Sequence, residues 1–115
     1  MAADRFSRLN QYRTMWLMVM FDLPTETKKE RSIAAKFRKS LLDDGFLMFQ
    51  FSIYTRFCNS RENMEVHIRR VKSKLPEKGT VGMIHITDKQ FGMMQIFQGT
   101  KKAKVESPSQ QLELF

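Results

Sequence analysis

The fold is decided by an apolar stretch, MWLMVMF, at residues 15–21, which ends in Asp22 and is followed by Leu23-Pro24. A short apolar stretch with Val and aromatic residues, and with a proline just beyond it, is typical of a strand inside a sheet, because a membrane span needs roughly twenty apolar residues. Its hydrophobicity is continuous rather than alternating. We therefore expect both faces of this strand to be shielded from water.

Asp22 lies where the chain leaves this predicted strand. A carboxylate at the carboxyl end of a buried strand is well placed to be a metal ligand. Aspartate is also common where a loop begins, so Asp22 could simply turn the chain ahead of Pro24. Residue type alone favours the turn.

A basic helix follows the first strand. Thr27 and Glu30 have capping-box spacing, and Gly45 is placed to end the helix. The apolar residues recur at helical intervals and predict one buried face. This predicted face consists of Ile33, Ala34, Phe37, Leu41 and Leu42.

The segment from Phe46 to Cys58 changes to a period of two, which is typical of a strand. It contains no Gly, Pro or Asn, so it is either one bent strand or two strands with a tight reversal near Gln50–Ser52. Asn59-Ser60 then begins a second helix with an apolar stripe, on which His67 is expected to be a surface or boundary residue. The predicted stripe consists of Met64, Ile68, Val71 and Leu75.

The last third of the sequence predicts a strand over 80–87, a turn around Asp88-Lys89 and an apolar stretch over 91–97. Two helices, each lying between strands, indicate an α+β sandwich of the ferredoxin-like βαββαβ kind. Such a sheet carries helices on one face only. A second copy of the chain is the obvious cover for the other face.

Composition limits the function independently of the fold. The 115 residues carry a formal charge of +8, with a pI near 9.9, which favours a polyanionic partner, most often nucleic acid. Cys58 is a lone cysteine and no Cys/His group has zinc spacing. The first 13 residues carry three arginines and lack the apolar segment of a signal peptide, so we expect a cytoplasmic protein without a membrane anchor.

Four motifs occur in order along the chain: FDLPT at 21–25, GF at 45–46, QFSIYTR at 50–56 and TDKQF at 87–91. In these motifs the chain resembles the Cas-two family of CRISPR adaptation proteins, in the form found beside single-effector (type II) systems. The resemblance runs from about Met15 to Gly99. It implies a ferredoxin-like fold with an extra C-terminal strand and a symmetric homodimer formed through the sheets.

The resemblance also implies two functions, because family members are described in both ways. In one, the two Asp22 carboxylates of a dimer share a Mg²⁺ ion for endonuclease chemistry on RNA or DNA, with Ser52 and Tyr54 positioning the substrate. In the other, which is better established for the family, the dimer is a noncatalytic bridge. It binds duplex DNA and joins copies of a larger catalytic integrase subunit during spacer acquisition. A toxin-like RNA interferase of the same fold is a more distant alternative.

Basic residues on the first helix and the second strand segment would supply phosphate contacts, although each could equally serve solubility. The few aromatics on these basic faces argue against stacking of single strands as the main mode of binding. The predicted phosphate contacts are Lys28, Lys29, Arg31, Arg38, Lys39 and Arg56.

We expect three regions: a basic N-terminal extension over 1–13, a ferredoxin-like domain over 14–99 and a flexible tail over 100–115. The tail ends in apolar residues after a polar spacer, which is typical of a segment that docks on another protein. The predicted partner-binding residues are Leu112, Leu114 and Phe115.

Overall fold

A computed structural model of the protein describes residues 14–103. Within this range the chain forms six strands and three helices. In chain order they are β1 (Met15–Asp22), α1 (Lys28–Asp43), β2 (Leu47–Gln50), β3 (Ile53–Cys58), α2 (Arg61–Ser73), β4 (Thr80–Thr87), α3 (Asp88–Gly92), β5 (Ile96–Gln98) and β6 (Lys101–Ala103).

The first four strands form one antiparallel sheet in the order β2-β3-β1-β4, so the apolar β1 lies inside the sheet. Each long helix connects two strands that are separated by a third, as in a ferredoxin-like βαββαβ sandwich. The predicted fold class is therefore confirmed. The register places Val19 between Tyr54 of β3 and Met83 of β4.

The core lies between the sheet and the two long helices. Alternate residues of β1 point into it, namely Met15, Leu17, Val19 and Phe21, and they pack with side chains of both helices. Burial of apolar side chains stabilises such a layer by about 25 cal/mol per Å² of apolar surface removed from water. The contributions of the helices are Phe37 and Leu41 from α1, and Met64 and Val71 from α2.

The predicted buried faces of the helices are partly wrong. Ala34, Phe37 and Leu41 are buried, but Ile33 and Leu42 are 41% and 51% exposed. The helix is rotated so that a stripe narrower than predicted faces the sheet. Leu75 is also exposed, because α2 ends at Ser73 and is capped by Lys74 before that position is reached.

Local signals predicted both ends of α1 and the start of α2 correctly. Thr27 and Glu30 form the predicted capping box, and Ser60 caps α2. Gly45 follows the α1 C-cap with a φ of 87°, a conformation that favours glycine. The segment after it reverses tightly at Phe51-Ser52, where Ser52 has a φ of 66°, so the two-strand alternative is the one that occurs.

The face of the sheet opposite the long helices is covered only in part. Trp16 stacks on Phe91 of α3 with ring centroids 4.0 Å apart, and its Nε1 donates to Asp88 Oδ1 at 2.8 Å. The turn predicted at Asp88-Lys89 is instead the start of this short helix, because Thr87 and Gln90 form a second capping box. The uncovered part of this face surrounds Met18 and Met20.

After α3, strands β5 and β6 form a separate two-stranded sheet. The predicted domain boundary after residue 99 falls inside this hairpin. The N-terminal extension and the apolar tail residues Leu112, Leu114 and Phe115 lie outside the described residues. None of the helices between residues 14 and 103 is long and apolar enough for a membrane span.

His67 is buried, at 3% exposure, so its predicted surface position is wrong. Its Nδ1 donates to Asp44 Oδ2 at 2.7 Å, and Arg70 Nη1 donates to Asp44 Oδ1 at 2.8 Å. Burial alone would raise the pKa of Asp44, but the hydrogen bonds from His67 and Arg70 outweigh it and lower the pKa. This cluster fastens the end of α1 to α2.

We predict that Asp44→Asn destabilises the protein by about 1–2 kcal/mol at neutral pH, because a hydrogen bond to a charged acceptor is worth more than one to a neutral amide. The folded-state pKa of Asp44 lies below its unfolded value, so its stabilisation is present above about pH 4 and is lost as the pH falls through the folded pKa. Urea denaturation at several pH values measures both effects.

Asp43→Asn is the matched control, because Asp43 is the exposed neighbour of Asp44 and forms neither ion pair of this cluster. Its effect should be small at every pH. A stability difference between wild type and Asp44→Asn that persists unchanged in acid would contradict the assigned role.

Candidate functional site

Asp22 is the last residue of β1 and is exposed. Phe21 points into the core, so alternation places Asp22 on the opposite face of the sheet, across from Thr80 of β4. It borders an open concavity of about 490 Å³ at this end of the sheet. The concavity is lined by Met20, Phe21, Asp22, Phe51, Ser52, Ile53, Thr80 and Gly82.

Of the three predicted catalytic residues, the structure brings only two together. Ser52 lines the concavity beside Asp22, and its carbonyl oxygen accepts a hydrogen bond from Phe21 N at 3.0 Å. Tyr54 is 3% exposed and stacks on Phe21 in the core. Because it packs under the helices, Tyr54 supports the fold on the other face of the sheet, and this placement removes it from the candidate catalytic set.

A single chain offers one carboxylate to a metal ion at this site. Among residues 14–103, no group of three or more His, Cys, Asp or Glu side chains could hold a metal. Glu30 serves its helix instead, because its carboxylate accepts from Thr27 N, a hydrogen bond that lowers the pKa of Glu30. Hard cations such as Mg²⁺ prefer oxygen ligands and bind through one or two carboxylates with several waters. Asp22 therefore fits a metal site best as one of a pair.

Some of the predicted phosphate contacts have exposed side chains, whereas others form hydrogen bonds within the protein. Lys28, Lys29 and Lys39 are exposed on α1. Arg31 Nη1 donates to the carbonyl oxygens of Thr25 and Glu26, so part of its guanidinium holds the loop before α1.

Arg56 is engaged within the protein. It is half-buried, and its Nε and Nη1 donate to the carbonyl oxygens of Asp44 and Phe57, each at 2.8 Å. The bond to Asp44 ties β3 to the end of α1. Its assignment as a phosphate contact is therefore not supported by this geometry.

One feature of the site was missed at the sequence level. Phe51, at the tip of the β2–β3 turn, is 79% exposed, and the Arg38 guanidinium carbon lies 4.8 Å from its ring centroid. The same guanidinium lies 5.5 Å from the Phe21 ring. The sequence does not reveal this pair, because the contact joins residues 13 positions apart and depends on how α1 packs beside the β2–β3 turn.

Comparison with known proteins gives the fold and the site a context. The family described as CRISPR associated protein Cas2 matches residues 15–94, which include the whole four-stranded sheet and α3. This chain belongs to the Cas2 family. The predicted family is thereby confirmed, and Asp22, Ser52 and the Arg38–Phe51 pair all lie inside the matched segment, whereas the β5–β6 hairpin follows it.

Several relatives are similar over nearly their whole length, and each is named CRISPR-associated endoribonuclease Cas2. The protein of Flavobacterium psychrophilum is 64% identical over 112 residues, which are 97% of each chain. That of Parvibaculum lavamentivorans is 48% identical over 101 residues, covering 88% of this chain and 100% of the relative. That of Streptococcus mutans strain UA159 is 36% identical over 98 residues, covering 85% and 90%.

A glycine in the loop before β4 allows this loop to approach the backbone at Asp22 closely. Gly79 has a φ of +91°, and a Cβ atom there would lie 2.6 Å from the Asp22 carbonyl oxygen and 2.8 Å from Leu23 Cδ2. Any side chain at residue 79 must therefore displace the end of β1.

We predict that Gly79→Ala destabilises the protein by at least about 1 kcal/mol, since alanine is strained at positive φ and the methyl group collides with backbone. Gly92→Ala is the control, because a Cβ at that position meets nothing within 4 Å. Chemical denaturation of both variants provides the comparison. Equal stability of Gly79→Ala and wild type would show that this close approach is absent.

Proposed function

We propose that this Cas2-family protein acts in CRISPR spacer acquisition as a symmetric homodimer that binds duplex DNA and bridges copies of a larger catalytic integrase subunit. The observation that carries this proposal is the uncovered half of the sheet face, with Asp22 at its rim. Phosphodiester cleavage at the paired Asp22 residues is a second candidate, favoured by the concavity that Asp22 shares with Ser52.

The uncovered face is apolar at the centre of the sheet. Ile84 of β4 is 48% exposed, and Met20 of β1 is 37% exposed because its neighbour on β4 is Gly82. On the other side, Met20 lies beside Ile53. An apolar patch on a small domain commonly marks an interface, and the same patch on two copies forms a two-fold interface. A second copy docked there would bring the two Asp22 residues near one axis.

Duplex binding is supported by the position of the positive charge. Lys28 and Lys29 are exposed in the first turn of α1, where the backbone amides also favour phosphate, and Lys39 extends the charge along the helix. These side chains lie on the helix layer, so the proposed dimer leaves them accessible. The net charge of +8 suits a backbone-directed mode of binding.

Cleavage would use few groups of the chain itself. Two Asp22 carboxylates would hold the Mg²⁺ ion, which when bound would offset charge on a scissile phosphate and lower the pKa of a water molecule. The Ser52 hydroxyl would donate a hydrogen bond to a phosphate oxygen in the same concavity. The names of the relatives suggest RNA as the substrate of this second activity.

The integrase partner, the docking role of Leu112, Leu114 and Phe115, and the cytoplasmic location stay predictions. The toxin-like RNA interferase alternative gains no support from the family match.

We predict that the wild-type protein is a dimer at micromolar concentration and that Ile84→Glu weakens dimerisation at least tenfold, because a charge buried in an apolar interface costs more than about 1.4 kcal/mol. Sedimentation equilibrium measures the dissociation constant. Ile33→Glu is the control, since Ile33 is 41% exposed on α1, away from the proposed interface. A monomeric wild type, or equal weakening by both variants, would contradict the interface.

We predict that Asp22→Asn abolishes magnesium-dependent cleavage, leaves duplex affinity within about twofold of wild type, and is at least as stable as wild type without metal. The variant loses the shared metal ligands and the repulsion between two carboxylates, while Lys28, Lys29 and Lys39 keep their charges. Glu26→Gln, an exposed change in the loop after β1, should behave as wild type. Cleavage at the wild-type rate by Asp22→Asn would exclude Asp22 from the reaction.

The bridging role is separated from cleavage by an integration assay with the co-expressed products of the neighbouring adaptation genes. Normal integration by Asp22→Asn would support the bridge, and lost integration with intact assembly would support a catalytic requirement. Duplex affinity should fall with salt at a log–log slope of about −0.9 per phosphate neutralised. An affinity that does not change with salt concentration would contradict binding through the phosphate backbone.

A further inference from the structure

The geometry points to Arg38 and Phe51 as a nucleotide-binding subsite that takes an unpaired base, so that the nucleic acid bound by this protein carries a single-stranded segment at the β2–β3 turn. This inference rests on the proposed nucleic-acid function and specifies its substrate. The ring of Phe51 would stack on the base, and the terminal nitrogens of Arg38 would bind an adjacent phosphate.

Phe51 is unusual because a large apolar side chain remains 79% exposed although it is held in place. The Arg38 guanidinium, 4.8 Å from the ring centroid, covers one side of the ring. No second aromatic ring within residues 14–103 stacks on Phe51. A positioned ring with an open side is the platform on which an unpaired base stacks, whatever its sequence.

Arg38 carries a positive charge that the described residues do not neutralise. The two ion pairs within residues 14–103 both involve Asp44, and no acceptor there receives a hydrogen bond from Arg38. Its Nε is buried without a partner, whereas its two terminal nitrogens reach solvent. A guanidinium fixed between the Phe21 and Phe51 rings, with free donors, suits a phosphate group.

The pair lies beside the candidate reaction site, at the border between the helix layer and the proposed dimer interface. Phe51, Ser52 and Asp22 line the same concavity, so a base stacked on Phe51 lies beside the candidate reaction site. Arg38 belongs to α1, which packs on the helix-covered face of the sheet. A second copy docked on the opposite face therefore leaves the Arg38 side of the pair open to nucleic acid. Phe51 is therefore an exception to the scarcity of aromatic residues on the basic faces.

The test compares three fluorescent DNA probes at one salt concentration: a blunt duplex, the same duplex with a short thymine overhang, and the thymine strand alone. Wild type should bind the overhang probe about fivefold to a hundredfold more tightly than the blunt duplex, as expected for stacking of one base. Phe51→Leu should remove this preference and leave blunt-duplex affinity unchanged. Equal affinity of wild type for overhang and blunt probes would overturn the inference.

Two further variants separate nucleotide binding from a purely structural role of the pair. Phe51→Trp keeps a stacking ring, so it should retain the preference, and its fluorescence should be quenched by the overhang but not by the blunt duplex. The native Trp16 is 2% exposed and gives a constant background. Absence of quenching would overturn the inference even if Phe51→Leu were impaired by misfolding.

Arg38→Lys should lose most of the preference for the overhang probe, since lysine keeps the charge without the planar guanidinium. Lys39→Ala, at the exposed neighbouring residue, should lower the affinity for all three probes equally. An Arg38→Lys protein with the full preference would contradict the phosphate contact. If the protein binds the single strand but not the blunt duplex, the proposed duplex-binding function is wrong while the subsite inference stands. An overhang of ribonucleotides shows whether the subsite prefers RNA.

Discussion

The structure depends on the one-sided packing of its central strand. The side chains of β1 that face α1 and α2 are buried, with Leu17 and Val19 at 1% and 0% exposure. The same strand carries Trp16, Met18 and Met20 on its other face, where Trp16 stacks on Phe91 of α3 and Met20 remains 37% exposed. The helices cover one face of this apolar strand, whereas the other face is covered only in part. The exposed part needs a further layer to shield it from water. We propose that a second copy supplies this layer, which would bring the Asp22 residues of both chains close to the interface.

The strand also separates two kinds of surface. Positive side chains belong to α1 on the helix layer, whereas the carboxylate of Asp22 ends β1 on the opposite face. In the proposed function, phosphate binding and metal chemistry would therefore use different residues of one small domain, and each could be changed alone. The β2–β3 turn joins the two surfaces, because Ser52 and Phe51 border the Asp22 concavity while Phe51 also contacts Arg38 of α1.

Much of the fold could be predicted from local signals. The apolar stretch at 15–21, the Thr27 capping box and Gly45 each act within a few residues, so those elements could be predicted from the sequence alone. Features that depend on distant contacts could not be predicted in the same way. Burial of His67 depends on Asp44, which is 23 residues away, and the α3 helix is fastened by the Trp16–Asp88 hydrogen bond. The same limit applies to the site: Asp22 and Ser52 line one concavity, whereas Tyr54 points into the core because the reversal at Ser52 sets its side.

The proposed dimer packs two chains through the open sheet face and brings their Asp22 residues together. It is tested most directly by electron–electron distance measurement between spin labels on Asp22→Cys in both protomers. The native Cys58 is buried at 0% exposure and should not react. We predict a short, narrow distance distribution for residue 22 and a clearly longer one for labels on Glu65→Cys, on the exposed side of α2. No coupling at residue 22, or a shorter distance at residue 65, would contradict it.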